Sequence, residues 1–136
     1  MRALGIDLGD SRTGYAVSDE LGFGVSTLPQ LNEKGLHKIA EHSVRVAEEY
    51  NVSQIVLGYP KNMNGSVGPR GEKTEIFKKL LEELTYIPVL LWDERLTTVS
   101  AHNLMNVTNV RGKKRKNSVD SVSAAYILQS YLDSKR

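Results

Sequence analysis

Residues 2–28 read RALGIDLGDSRTGYAVSDELGFGVSTL, and the fold is decided there. The opening run, RALGIDL (2–8), is apolar with small residues interspersed, the pattern of a buried strand. Asp10-Ser11-Arg12 is turn chemistry. TGYAVS (13–18) then reads as a second strand and LGFGVSTL (21–28) as a third. Connections this short permit only antiparallel pairing, because a parallel pair needs a crossover of roughly a dozen residues. The chain therefore opens on a three-strand antiparallel meander.

The texture changes after Pro29. Leu36, Ile39, Ala40, Val44, Ala47 and Tyr50 recur at three- and four-residue intervals, which predicts an amphipathic helix over 34–50. QIVLG (54–58) is a short buried strand, and YPKNMNGSVG (59–68) a long polar loop of the kind that usually carries function. Phe77, Leu80, Leu81 and Leu84 mark a second helix across 69–85. PVLLW (88–92) is a further strand, ending in Asp93-Glu94-Arg95. Thr97 or Thr98 can cap a third helix carrying Ala101, Leu104 and Met105, and a last helix is expected over 118–133. A meander followed by alternating helices and strands gives an α/β fold. Its sheet is mixed and five-stranded, a three-strand antiparallel meander plus two parallel strands, with helices on both faces. The expected strand order is 3-2-1-4-5, in one domain over residues 1–136.

Composition agrees with such a domain. Of 136 residues, 40% are hydrophobic and 25% charged, and the net charge is +2. No apolar run approaches the roughly 18 residues of a membrane span, and the N-terminal residues pass straight into strand pattern, so a cytoplasmic protein is expected. The absence of cysteine excludes disulfides, thiolate metal sites and cysteine nucleophiles. The small net charge hides an asymmetry. Residues 1–110 hold eleven basic and fourteen acidic side chains, residues 111–136 seven basic and two acidic. Arg111, Lys113, Lys114, Arg115 and Lys116 form a patch that either attracts polyanions or is solvated surface.

Acids inside an apolar pattern need partners, since an unpaired buried carboxylate is costly. Three stand out. Asp7 interrupts the first strand, Glu94 closes VLLWDE, and Asp120 falls on the inward stripe of the last helix with Ala124, Ile127, Leu128 and Tyr131. Each has an ordinary explanation: a turn acid at Asp7, pairing with Arg95 or solvent for Glu94, a helix cap or first-turn acid at Asp120. Jointly they suggest more. The first and fifth strands end on the side where open α/β sheets place their sites, and the last helix can deliver a third acid there. Three carboxylates without cysteine or paired histidine are hard oxygen donors, suited to Mg²⁺ or Mn²⁺. In a one- or two-ion site they point to phosphodiester chemistry without a protein nucleophile. Other constellations fail: Gly9 to Gly14 has Walker-like spacing, but Tyr15 and Ala16 replace the required Lys and Ser/Thr. His37 and His42 lie about 140° apart around their helix, a poor metal pair.

The motifs GIDLG (5–9) with Arg12 and Gly14, then Gly58-Tyr-Pro60 with Asn62, Met63, Gly65 and Ser66, then DERLTT (93–98), then Asp120-Ser121 with Ala124, Ala125 and ILQ (127–129) occur in fixed order. Together they resemble the YqgF family of bacterial resolvase-like nucleases over essentially the whole chain. The departures are Tyr59 and Asn64, where Leu and Asp are common in the family. The resemblance implies a ribonuclease H-like fold and a cytoplasmic nuclease trimming the 5′ end of the 16S ribosomal RNA precursor. It places the family's acidic triad on Asp7, Glu94 and Asp120. The reading that follows is a hydrolase holding one or two Mg²⁺ (or Mn²⁺) ions on those three. Arg12 and Arg95 would contact substrate phosphates, while Lys61, Arg70 and the basic segment Arg111, Lys113, Lys114, Arg115 and Lys116 would hold flanking backbone. The partner is nucleic acid, precursor rRNA ahead of branched DNA, with no membrane and a monomer or homodimer. The rivals are a branched-DNA resolvase using the same site, a nucleotide-binding lobe of the kind found in actin and sugar kinases, and a non-catalytic RNA-binding assembly factor. In the expected strand order, the first and fifth strands stand two spacings apart, roughly 9–10 Å. Glu94 must then reach inward along its longer side chain or act through a water, and Asp93, on the opposite face of a regular strand, is expected either to support a ligand from behind or to be structural.

Overall fold

The computed structural model describes residues 1–97 and 119–135, with the side chains of Leu96, Thr97, Val119 and Asp120 outside that description. The elements are β1 (Ala3–Leu8), β2 (Arg12–Ser18), β3 (Val25–Asn32), α1 (Leu36–Glu49), β4 (Gln54–Tyr59), α2 (Pro69–Leu84) and β5 (Val89–Asp93). A 3-10 turn (Glu94–Thr97) and a final helix, α3 (Val119–Ser134), complete them. The expected third helix and the basic segment 111–116 lie outside the described residues. Among the described residues, no helix is long and apolar enough to cross a membrane.

The sheet order is β3-β2-β1-β4-β5, as the sequence predicts. β2 pairs antiparallel with both β1 and β3, whereas β1–β4 and β4–β5 are parallel. One correction concerns the third strand, expected over 21–28 and found at Val25–Asn32. Asp19 causes the shift. Its carboxylate accepts the N–H groups of Phe23 and Gly24 at 3.0 Å each, and its carbonyl accepts that of Gly22 at 3.1 Å. Residues 19–24 are thereby tied into a turn that leaves Leu21 and Phe23 exposed. Pro29, which the sequence reading takes as the strand's end, lies inside β3. A proline is tolerated there because β3 is an edge strand and the β2–β3 register slips between Thr13 and Tyr15.

Side-chain alternation assigns the two faces of the sheet. Leu4, Ile6 and Leu8 of β1 join Tyr15, Ile55 and Leu57 in a core closed by Ile39 and Val44 of α1 and Phe77 and Leu81 of α2. Ala3, Ala16, Val56 and Trp92 pack on the other face against Ala124, Ala125, Ile127, Leu128 and Tyr131 of α3. The approach of α3 is close. A Cβ on Gly5 would stand 2.8 Å from the Ala124 carbonyl and 2.9 Å from Leu128 Cβ, so the glycine lets the helix lie directly on β1. The odd-numbered residues of β1 thus face α3, and Asp7 is the last of them.

Candidate active site

Asp7 is half-buried near the C-terminal end of β1 on the α3 face. The β1–β4 register pairs Ile6 with Leu57, which puts Asp7 level with Gly58. On its other side β4 pairs Gly58 with Trp92 of β5, two residues before Glu94. Gly58 therefore lies between β1, which carries Asp7, and β5, which leads directly into Glu94, and Glu94 reaches across it. A Cβ built on Gly58 would meet Glu94 Oε1 at 2.7 Å, Glu94 Cγ at 3.2 Å and Ile127 Cδ1 at 2.5 Å. The missing side chain is the space through which the Glu94 carboxylate comes inward. This is how an acid two strand spacings from Asp7 shares a site with it: both line one cleft of about 310 Å³, together with Arg70, Ser123, Tyr126 and Ile127.

Asp93, one residue earlier, is disposed of separately. Its carboxylate receives the Arg95 guanidinium through Nε at 3.1 and 3.0 Å and a terminal nitrogen at 2.7 Å, and also the Arg95 backbone N–H at 3.0 Å. These hydrogen bonds, from the side chain first, hold the Asp93 carboxyl below the usual carboxylate range. Of the ordinary explanations open to this pair of acids, pairing with Arg95 thus falls to Asp93. Arg95, expected to touch substrate phosphate, is docked on Asp93 and on the Met63 carbonyl (3.4 Å), and remains exposed. The loop carrying Met63 is ordered. Gly65 N–H donates to the Asn62 carbonyl (2.8 Å) and Asn62 N–H to the Ser66 carbonyl (2.9 Å), a tight turn fastened by side-chain bonds among Asn62, Asn64 and Ser66. Lys61 lies over the Tyr59 ring at 5.6 Å, and Lys61 and Arg70 line a neighbouring cleft of about 320 Å³. Arg12 is exposed at the start of β2 and lines a third cleft, of about 570 Å³.

Asp120 is the second residue of α3; its side chain lies outside the described residues. The next residue, Ser121, is one that sequence reasoning missed. It is fully buried, accepts the Tyr15 N–H at 3.2 Å and donates to the Leu28 carbonyl at 2.5 Å. The hydroxyl is inserted where β2 and β3 slip register, so the first turn of α3 is fastened to the sheet beside Asp120. Gly58 was likewise missed as a functional position. Both positions stand in the motifs quoted above, Gly58 ahead of Tyr59-Pro60 and Ser121 after Asp120, but a motif assigns no role to a side chain that is absent or to a hydroxyl whose partners are distant in sequence.

Asp7 and Glu94 fit a hard divalent cation: two carboxylates converge in one cleft, and no cysteine or described histidine shares it. Among the described residues no set of three acidic or histidine ligands is assembled; the third acid expected from the sequence is Asp120.

The chain matches the family described as RuvX, Holliday junction resolvase, over residues 1–134. A protein of Geobacillus sp. (strain WCH70) named "Putative pre-16S rRNA nuclease" is 49% identical, with 100% of both chains covered. One of the same name from Bacillus subtilis (strain 168) is 46% identical over 98% of this chain and 99% of its own. Among solved structures, T. thermophilus RuvC in complex with a Holliday junction substrate superposes with a TM-score of 0.68. It does so at 12% identity, covering 99% of this chain and 95% of that one. That likeness is one of fold, and the fold is ribonuclease H-like.

Proposed function

The chain belongs to the RuvX family of Holliday junction resolvases, and on that premise we propose that it is a metal-dependent nuclease whose substrate is the 5′ end of the 16S ribosomal RNA precursor. The observation that carries the chemistry is the convergence of Asp7 and Glu94 over Gly58 in one cleft. The substrate follows the relatives that match over the full length of the chain.

In this reading Asp7 and Glu94 hold one or two Mg²⁺ or Mn²⁺ ions, with Asp120 as the third ligand. Bound there, the metal supplies the charge that makes a water nucleophilic and stabilises the leaving oxygen. The protein's own contribution is placement. β1 and β5 fix the two carboxylates on one face, Gly58 admits the longer one, and Ser121 fastens the helix that brings Asp120. Arg70 at the rim of the cleft and Lys61 beside it attract the phosphate backbone, contacts that position a strand without reading its sequence. Arg95, held by Asp93, presents its exposed edge to the same strand.

The test is cleavage by the purified protein with Mg²⁺ or Mn²⁺ of three substrates: 5′-extended 16S precursor RNA, single-stranded DNA and a four-way DNA junction. The expected result is preferred cutting of the RNA, abolished by Asp7→Asn and by chelation. Equal cutting by wild type and Asp7→Asn would overturn the assignment of the site. Preferred, symmetrical cutting of the junction would instead support the resolvase reading that the family description favours, which requires a two-fold dimer.

A further inference from the structure

The cleft of about 570 Å³ beside the acidic site has a chemistry that phosphate binding alone does not explain. It is lined by Ser11, Arg12, Gln30, Asn32, Glu33 and Lys34. Its position is set by the sheet. Gly9 to Ser11 form the turn leaving β1 just after Asp7, the Glu33 N–H donates to the Ser11 carbonyl at 3.1 Å, and Arg12 pairs with Asn32 across β2–β3. The cleft therefore opens at the same end of the sheet as Asp7, with β3 two strand spacings, roughly 10 Å, from β1. A nucleic-acid strand lying across Asp7 and Glu94 reaches it within a nucleotide or two.

Arg12 and Lys34 supply positive charge, and the ion pairs among the described residues, Lys73–Asp10, Lys78–Glu82 and Arg95–Asp93, engage neither. The Glu33 carboxylate, also on the lining, is engaged through Oε2 by the backbone N–H groups of Lys34 and Gly35 at 3.0 and 2.9 Å. The two carboxamides are the informative groups. Gln30 Nε2 donates to Asn32 Oδ1 at 3.2 Å, while Gln30 Oε1 is buried with no hydrogen-bond partner. An acceptor taken out of water without a donor carries a desolvation cost. A phosphate, which has only acceptors to offer, cannot relieve it. The groups of a nucleotide that can are the ribose 2′-OH and the N–H donors of a base, and of these only the 2′-OH is common to every ribonucleotide and absent from DNA. The terminal torsion of glutamine is broad, so the carboxamide can turn its oxygen to a ligand.

We propose that this cleft is a ribonucleotide subsite. It holds a nucleotide flanking the scissile phosphate, with the phosphate on Arg12 and Lys34 and the 2′-hydroxyl on the Gln30–Asn32 carboxamides. The proposal rests on the nuclease reading above and adds to it the group that tells RNA from DNA.

The test measures binding rather than turnover. Matched single-stranded RNA and DNA are titrated with full-length Asp7→Asn protein in Mg²⁺ by fluorescence anisotropy. RNA is expected to bind about five- to tenfold tighter, the effect of one well-made hydrogen bond. One 2′-deoxy substitution at the nucleotide in the cleft should reproduce most of that loss, and a change of base there should not. Adding Gln30→Leu, or the milder Gln30→Met, should bring the RNA-to-DNA ratio to about one, whereas Arg12→Ala with Lys34→Ala should weaken both strands alike. A ratio unchanged by the Gln30 variants, or preference that follows the base rather than the sugar, overturns the subsite. The chimeric-strand arm needs no substitution in the cleft. The parent reading fails differently: wild-type protein that cleaves nothing while sugar discrimination persists would remove the nuclease and leave the subsite standing.

Discussion

Replacing Gly58 by alanine should separate activity from stability. The new methyl would stand 2.5 Å from Ile127 Cδ1 and 2.7 Å from Glu94 Oε1, whereas comfortable carbon contacts are about 3.5–4.0 Å. Both neighbours must therefore withdraw by about 1 Å. Overpacking of this kind costs about 1–3 kcal/mol, which lowers Tm by roughly 3–15 °C for a domain of this size. The folded fraction at an assay temperature well below Tm is hardly changed. Displacing a catalytic carboxylate by about 1 Å, in contrast, costs on the order of 100-fold in rate. Gly58→Ala should thus be a folded protein with kcat about 100-fold down, by circular dichroism melting beside cleavage of precursor RNA. Adding Ile127→Ala opens the space on one side of the methyl. The double variant should regain part of the lost stability but not the rate, because Glu94 is still pushed aside. Full recovery of cleavage in the double variant, or a Gly58→Ala protein within threefold of wild type, would refute the idea that Glu94 works from above Gly58.

Ser121→Ala leaves the Tyr15 N–H and Leu28 carbonyl without the hydroxyl that joins them. At about 1–3 kcal/mol for each buried group left unpaired, the urea midpoint should fall clearly, and an unchanged midpoint would mean that β2 and β3 close the gap themselves. Burial pushes the Tyr15 phenol up to about 12, against a smaller opposing effect of its hydrogen bond to Ser43 (2.6 Å). The folded state therefore holds this proton more tightly than the unfolded chain, so the associated stability is complete below pH 10 and is lost as pH rises towards 12. The difference is on the order of 3 kcal/mol, and urea melts between pH 9 and 12 should show a steeper decline for wild type than for Tyr15→Phe. Arg70→Ala and Lys61→Ala should each weaken RNA binding about equally for all sequences and lower the slope of log Kd against log salt by about one per residue. A sequence-dependent effect would mean that they read bases.

Much of the fold was legible because it rests on local patterns. Short connections force the first three strands to be antiparallel, and the helices from 34 and 69 announce themselves by apolar spacing. The exception is instructive. Leu21 and Phe23 look like strand residues, yet Asp19 gathers three backbone N–H groups and turns the chain there. Hydrophobic pattern alone could not weigh that capping carboxylate against two apolar side chains. The acids Asp7 and Glu94 were legible as interruptions of apolar runs. What brings them together was not, because Gly58 acts by having no side chain, and Ser121 acts on a slip in a strand pair distant in sequence. Both are contacts of the tertiary structure, with no periodicity to betray them.

The adjacency of Asp93 and Glu94 shows how such a site is kept in order. Two neighbouring carboxylates at the end of one strand could compete for the same cation, and like charges so close raise each other's cost of ionisation. Strand alternation answers first: Trp92 packs towards α3, so Asp93 points to the opposite face. Arg95 answers second, giving Asp93 a bidentate partner of its own and a depressed pKa, so that it stays ionised and engaged. The 3-10 turn that begins at Glu94 then returns the next carboxylate to the α3 face, over Gly58. The role of each acid is thus set by the register of β5 and by one arginine two residues on. Asp93→Ala should release the Arg95 guanidinium from that partner and leave a cation to compete for Glu94. The expected signature is a raised metal requirement for cleavage, with maximal rate recovered at saturating Mg²⁺. A metal titration indistinguishable from wild type would show that Asp93 only anchors Arg95 and has no part in keeping Glu94 available.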